Sequence, residues 1–339
     1  MSDNVIHFLG EDDFLSAMDR ENRIWREKYV TNGGFTARDG IRLNYYLAEK
    51  KNPKGIVVLL HGYCEFWGKY HEFAWYLWQA GYRVYFLEQR SHGHSEGKQP
   101  NPGIVHIDNF YTYTDDLKEF MDQIVLPHAD DLPRFLLAHS MGGAVSALFL
   151  GTWPGYFTGA VLSSPMLKMH ADDLNPAMIA EMKLAMTIER KEKDYFPGMH
   201  DFIRTPEYDT SESLSRARYD YAFKLRLAEP DYQTSGASYG WVVAGVEVRK
   251  LILDSADRIT IPITLMQAEK DSLVDASGFD DFMEKVPQTR KIFYKNSKHE
   301  IFNAGDEVRI RYFRDVLDQL ESMIQQPGSS RSAIVHLTE

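Results

Sequence analysis

Cysteine is almost absent from this 339-residue chain, since Cys64 is the only one. A single cysteine excludes an internal disulfide and any metal site built from several cysteines. Basic residues are also in deficit: 38 lysines and arginines face 49 aspartates and glutamates, which gives a formal net charge of -11. This balance argues against nucleic-acid binding and against simple electrostatic adsorption to anionic membranes.

Long hydrophobic runs are missing as well. The longest aliphatic stretches, such as residues 56–60, are far shorter than the ~20 residues that a membrane-spanning helix needs. The first residues contain neither a basic segment nor a continuous apolar one, which predicts that no signal peptide is present. We therefore expect a cytoplasmic protein, and the polar, turn-rich residues 327–339 are expected to form a flexible tail.

The chain does contain a repeated alternation of buried strands and helices. Residues 56–60 form a continuous apolar run, typical of a strand that is buried on both faces, and further strands are predicted at residues 83–87, 135–138, 159–163 and 263–267. Helix-like stretches separate most of them, which predicts a mostly parallel, doubly wound α/β sheet. Because the alternation pauses between about residue 166 and residue 263, we predict a discontinuous core of residues 1–166 and 256–326 with a helical cap insertion, residues 167–255.

One strand leads into a helix through a serine. An apolar run ends at Ala138, and apolar residues resume at helical spacing after Gly143, so the corner between them reads Ala-His-Ser-Met-Gly-Gly. A turn tight enough to expose a serine hydroxyl at a sheet edge needs very small residues two before and two after the serine. Ala138 and Gly142 meet that requirement, which makes Ser140 a candidate nucleophile.

A serine nucleophile needs a base and an acid that orients the base. Downstream loops that follow strands contain Asp271 and His299, in the order serine, acid, histidine. Glu269 and Asp275 are rival acids a few residues away, and a solvated loop is the plain alternative for each of these residues. We favour Asp271 because a short loop after the strand suits a side chain that must reach across the sheet edge.

Ester hydrolysis also needs two backbone N–H groups that point at the developing oxyanion. The amide of Met141, at the start of the helix after Ser140, and the amide of Tyr63, in the loop after residues 56–60, are the candidates. The pair His92 and His94 offers a metal-site alternative, but no further ligands at metal spacing accompany it, so no metal site is predicted.

These pieces resemble the α/β-hydrolase family, and in particular its lysophospholipase and monoacylglycerol lipase branch. The motifs that carry the resemblance are residues 61–65 (HGYCE), 88–95 (EQRSHGHS), 138–143 (AHSMGG), 267–275 and His299. The family usually has Asp in place of Glu88, Gly in place of Ser91, and Gly or a small residue in place of Cys64. The resemblance implies Ser140, Asp271 and His299 as the catalytic residues, the Tyr63 and Met141 amides as the oxyanion hole, and no cofactor.

The cap insertion is rich in methionine. Met178, Met182 and Met186 follow at i, i+4 and i+8, so they share one helical face, which either packs the cap onto the core or, with Trp241, lines a site for acyl chains.

We therefore expect a serine esterase that cleaves a fatty acyl ester of a lysophospholipid or monoacylglycerol. Its expected partner is a small lipid-like ester, and peripheral contact with a membrane or micelle surface is compatible with that substrate. A short-chain carboxylesterase, an acyltransferase and a non-catalytic binding protein of the same fold are the alternatives.

Overall fold

An eight-stranded sheet forms the centre of the computed structural model, which describes residues 6–170 and 176–325. The predicted tail, residues 327–339, lies outside the described residues. The strands are β1 Val30–Thr36, β2 Arg42–Ala48, β3 Gly55–Leu60, β4 Tyr82–Leu87, β6 Arg134–His139, β7 Gly159–Ser163, β9 Ile263–Lys270 and β10 Arg290–Lys298. Their order across the sheet is β1-β2-β4-β3-β6-β7-β9-β10, and every pair is parallel except β1 with β2 and β2 with β4. The predicted, mostly parallel α/β sheet is confirmed.

The central strands are buried because helices cover both faces of the sheet. Every residue of β3, β6 and β7 is buried, which explains their continuous apolar sequences. The helices on one face are α4 Tyr111–Phe120, α5 Met141–Thr152, α8 Tyr239–Ser255 and α9 Ser277–Lys285. The helices on the other face are α1 Glu11–Ala17, α2 Arg23–Tyr29, α3 His71–Gln79 and α10 Asp306–Gln325. The chain is thus doubly wound around one sheet.

The long segment between β7 and β9 contains two further helices besides α8. These are α6 Pro176–Glu189 and α7 Arg216–Ala228. A small parallel pair, β5 Ile104–Val105 and β8 Gly236–Ala237, joins the segment to the loop after β4. Helix α8 packs on α5 of the core, whereas α7 packs on α1. The predicted boundaries of the cap insertion, residues 167 and 255, stay a prediction.

A buried arginine links α7 to the first helices. Arg218 donates two hydrogen bonds to the carboxylate of Glu72, at 2.8 and 2.6 Å, and one to the carbonyl oxygen of Leu9 at 3.3 Å. The same carbonyl accepts a hydrogen bond from Arg309 of α10. Because a buried guanidinium requires such partners, Arg218 fixes α7 against the core.

Among the described residues, no helix combines the length and the apolar character that crossing a bilayer would require.

Candidate active site

Ser140 occupies the sharp corner between β6 and α5. Its backbone angles, φ 51° and ψ -117°, lie in a region that residues other than glycine rarely adopt. A Cβ atom on Gly142 would lie 2.6 Å from the carbonyl oxygens of Leu60 and His61, so only glycine fits two residues after the serine. The sequence requirement for small residues at this corner therefore comes from the close approach of α5 to the end of β3.

Asp271 and His299 lie side by side at the carboxyl ends of neighbouring strands. Asp271 directly follows β9 and His299 directly follows β10, and β9 runs three residues beyond Gln267, where the sequence indicated its end. The pairing of β10 shifts register after Tyr294, and Asn296 has φ 56°, so the apolar pattern ends before the strand does. Asp271 Oδ2 accepts a hydrogen bond from His299 Nδ1 at 2.7 Å.

The other Asp271 oxygen is also hydrogen-bonded. Oδ1 accepts from the backbone N–H groups of Leu273 and Val274, at 3.0 and 3.1 Å. Burial raises the pKa of the Asp271 carboxyl, but the hydrogen bond and charge of His299 and the two backbone N–H groups outweigh burial, so its pKa lies below the ordinary value. Asp271 is therefore held as a carboxylate.

The two rival acids have other partners. Asp275 pairs with Lys168 and accepts from the N–H of Ser277, which lowers its pKa to about 2. Glu269 accepts from the N–H of Asn296 at 2.8 Å. Of the three acids considered from the sequence, Asp271 is the one hydrogen-bonded to His299.

The second ring nitrogen of His299 is available for chemistry. His299 is only 2% exposed, and its buried Nε2 atom has no hydrogen-bond partner among the described residues. Its carbonyl oxygen accepts from Ser164 Oγ at 2.8 Å, which fixes the backbone. The ring centroid of His139, the residue before Ser140, lies 4.8 Å from that of His299. The serine corner and the His299 loop are therefore neighbours.

Two backbone N–H groups near Ser140 are unused. In the described part of the chain, neither the amide of Tyr63 nor that of Met141 donates a hydrogen bond. The amides on either side of Tyr63 do: Gly62 donates to Glu65 Oε2 at 2.5 Å, and Cys64 donates to His92 Nε2 at 3.1 Å. The amides on either side of Tyr63 are thus hydrogen-bonded, whereas the Tyr63 amide has no acceptor among the described residues.

A buried charge network, which the sequence did not indicate, joins the loops around Ser140. Glu65 accepts from Gly62, from Tyr70 Oη at 2.5 Å and from Lys69 at 2.8 Å, and its Oε2 lies 3.1 Å from His139 Nδ1. Lys69 also pairs with Glu300, the residue after His299. Burial raises the pKa of Glu65, but the charges of Lys69 and His139 outweigh it and hold the pKa well below the usual range. The HGYCE motif contains Glu65, yet nothing in sequence spacing reveals its partners.

The residues predicted to bind acyl chains lie on α6 and α8. Met178 is 40% exposed, Met182 and Met186 are partly buried, and Trp241 is buried with its ring 4.6 Å from that of Tyr63. A cavity of about 310 Å³ opens beside Cys64 and Glu300, and none of these four residues lines it. Their role in binding substrate stays a prediction.

His92 is committed to the loop that contains Tyr63. Its Nε2 accepts from Cys64, and its Nδ1 donates to the carbonyl oxygen of Arg90 at 2.9 Å. Neither nitrogen is therefore available to a metal ion in this arrangement, whereas the exposed His94 lies near the half-buried carboxylates of Glu229 and Asp231.

A doubly wound sheet with a strained serine between strand and helix, and an acid and a histidine at the ends of later strands, defines an α/β-hydrolase. The chain belongs to the serine aminopeptidase S33 family (Hydrolase_4), whose model matches residues 51–306. The resemblance seen in the sequence is thus confirmed at the level of the family.

Curated relatives cover most of the chain. It is 29% identical to "Lysophospholipase L2" of Escherichia coli (strain K12) over 320 residues, which cover 92% of both chains. It is 27% identical to "Monoacylglycerol lipase" of Mycolicibacterium smegmatis, over 86% of this chain and 95% of that protein. Among solved structures, a carboxyl esterase from Bacillus coagulans superposes with a TM-score of 0.72 at 17% identity, over 87% of this chain and 99% of that one, and supports the fold alone.

Proposed function

We propose that the protein is a serine hydrolase that cleaves a fatty acyl ester of a lysophospholipid or monoacylglycerol. The observation that carries the proposal is the 2.7 Å hydrogen bond between Asp271 and His299, which leaves a buried, unpartnered His299 Nε2 beside the strained serine corner. The names of the relatives support a lipid ester as the substrate class.

In the proposed reaction, His299 Nε2 takes the proton of the Ser140 hydroxyl as its oxygen attacks the ester carbonyl carbon. Asp271 holds His299 Nδ1–H and stabilises the imidazolium. The amides of Tyr63 and Met141 donate to the oxyanion, and the alcohol leaves with the proton from His299. Water, deprotonated by His299, then attacks the acyl-enzyme and releases the fatty acid.

A fluorophosphonate probe tests the nucleophile. Labelling of the native protein should be abolished by Ser140→Ala, because the probe phosphonylates only an activated hydroxyl. Ser146→Ala is the matched control: Ser146 is buried in the same helix, where its hydroxyl donates to the Gly142 carbonyl, and its loss should leave labelling intact. Persistent labelling of Ser140→Ala would refute the assignment.

A substrate panel separates the alternatives. Hydrolysis rates at one enzyme concentration should be compared for a lysophospholipid, a monoacylglycerol and short p-nitrophenyl esters, which distinguishes a lipid esterase from a short-chain carboxylesterase. Product analysis in the presence of an added alcohol detects acyl transfer. Hydrolysis of the short esters alone would contradict a lipid substrate.

Contact with a lipid surface is a further part of the proposal. Leu184 and Ile188 on α6 are 60% and 71% exposed, one helical turn apart. Exposed apolar side chains on one helix face are suited to the boundary of a micelle or membrane that presents the substrate.

A further inference from the structure

The cavity of about 310 Å³ lies next to the proposed reaction centre. Cys64 and Glu300 both line it, and they directly follow Tyr63 and His299 in the chain. On the opposite side, Arg218, Ala222 and Arg226 line it from α7 at a spacing of four residues. A group bound here would therefore be close to an ester held at Ser140.

Two of the three long cationic side chains that line the cavity are neutralised by carboxylates. Lys69 pairs with Glu65 and Glu300, and Arg218 pairs with Glu72 at 2.6 Å. Their charges are therefore satisfied within the protein and offer little attraction to an incoming anion.

Arg226 is different. Its Nε and Nη2 donate to the carbonyl oxygens of Tyr232 and Thr234, at 3.0 and 2.6 Å, and its guanidinium lies 4.3 Å from the centre of the Phe202 ring. No carboxylate lies within 4.0 Å of it in residues 6–170 and 176–325, and no hydrogen bond from Nη1 is found there. Burial lowers the pKa of this guanidinium, which nevertheless remains protonated, as arginine does in proteins. A partly buried cation without a counter-ion favours an anionic ligand.

Opposite charge lies toward the outside of the same cavity. Asp201 and Glu207 line it and are exposed, and the stacked, partly buried rings of Tyr219 and Phe223 line it as well. A partly buried cation, exposed carboxylates and aromatic rings in one cavity are complementary to a zwitterion whose anionic group lies deeper and whose ammonium group stays near solvent.

We propose that this cavity binds the headgroup of a lysophospholipid, with Arg226 donating to the phosphodiester and Asp201 and Glu207 attracting the ammonium group. The inference rests on the proposed ester hydrolase activity and narrows its substrate to the phosphate-containing class. A headgroup site of this kind favours a lysophospholipid over a monoacylglycerol, because the glycerol of a monoacylglycerol carries no charge.

The test is the ratio of kcat/KM for a lysophosphatidylethanolamine to kcat/KM for a monoacylglycerol with the same acyl chain. Arg226→Gln should lower this ratio about tenfold or more, since charge-assisted hydrogen bonds to phosphate are lost. Arg226→Lys should restore part of it, because a point charge without the planar fork remains. Arg204→Gln removes an exposed positive charge from the neighbouring segment, outside the cavity lining, and should leave the ratio unchanged.

A structural role for Arg226 predicts a different result. If the arginine only anchors the carbonyl oxygens of Tyr232 and Thr234, its loss lowers both kcat/KM values by the same factor, and an unchanged ratio overturns the headgroup site. If the wild-type protein hydrolyses neither lipid, the proposed function fails.

Competition separates a headgroup site from a general anion site. Glycerophosphoethanolamine should inhibit the wild type competitively and should inhibit Arg226→Gln at least about tenfold more weakly. Inorganic phosphate at the same concentration should inhibit much less, because it cannot reach both the arginine and the carboxylates. Equal inhibition by the two compounds would overturn the zwitterion assignment.

Discussion

Four residues other than glycine hold a positive φ around the candidate site. They are Cys64 (56°), Ser91 (68°), Ser140 (51°) and Ser164 (42°). Each such conformation costs about 1–3 kcal/mol unless its surroundings enforce it. At Cys64 and Ser91 the resemblance to the family leads us to expect glycine or a small residue, and both residues hold a positive φ despite their side chains.

The acid can be assigned by comparing two neighbouring aspartates. Asp271→Asn should lower kcat by about 10³–10⁴-fold, because His299 would lose the charge that fixes its tautomer. Asp275→Asn should change kcat less than about threefold, since Asp275 faces Lys168 at a partly exposed site. Initial rates on a p-nitrophenyl ester measure both, and a larger loss in Asp275→Asn would show the assignment of Asp271 to be wrong.

The candidate catalytic residues near the strand ends could be predicted from the sequence. Ser140, Asp271 and His299 each follow an apolar run, and parallel strands bring their carboxyl ends to one edge of the sheet. The short loop after the strand favoured Asp271, but the sequence alone could not exclude Asp275, because that depends on which loop residue faces Lys168. The partners of Glu65 could not be predicted either, because they come from loops that are far apart in the sequence.

At the scale of elements, the Glu65 network joins three loops that follow three different strands. The loop after β3 supplies Glu65, β6 ends with His139, and the loop after β10 contains Glu300. His139 Nε2 also lies 3.4 Å from the carbonyl oxygen of His299. The relative positions of the proposed nucleophile, the proposed base and the Tyr63 amide therefore depend on one buried carboxylate.

Removing that charge should slow the reaction without blocking binding. Glu65→Gln should lower kcat by about 10–100-fold with a smaller change in KM, because small displacements of reacting groups are costly. Labelling by the fluorophosphonate probe should slow by a similar factor, which ties the defect to Ser140 and its base. Glu119→Gln, which removes a partly buried carboxylate paired with exposed Arg38, is the control; equal effects would mean that Glu65 has no positioning role.

Strands were easier to predict than the cap. The strand cores β3, β6 and β7 are continuous apolar runs, so their sequences identify them. The two-residue strands β5 and β8 carry no such signal, and they form because the loop after β4 meets the segment before α8. Helix α8, with Trp241 and Ile252 buried against the sheet domain, was expected only as part of a mostly helical region.

At the scale of the whole molecule, buried neutral histidines make stability depend on pH. Burial lowers the pKa of His61, His71 and His92, and that of His92 falls from 6.5 to about 3. Above pH 6.5 these histidines are neutral in both the folded and the unfolded protein, so they do not make the free energy of unfolding depend on pH. As pH falls below 6.5 the unfolded chain binds protons that the folded protein excludes, so the free energy of unfolding decreases.

Urea unfolding between pH 7.5 and pH 5 measures this effect. Each buried histidine should contribute a slope of up to about 1.4 kcal/mol per pH unit over the acidic part of that range. His71→Gln should give a shallower slope, since Gln can still bond the Tyr221 hydroxyl but does not titrate. His128→Gln, at an exposed position, should leave the slope unchanged; a pH-independent free energy of unfolding would contradict the prediction.

The position of β10 has a consequence for the newly made protein. Among the described residues this strand pairs only with β9, at one edge of the sheet, and it is followed directly by His299. During synthesis, the strands that surround Ser140 leave the ribosome well before β10 does. The nascent chain can therefore complete most of its sheet while Ser140 still lacks its proposed base, so we expect the proposed hydrolytic activity only after β10 and His299 have been synthesised.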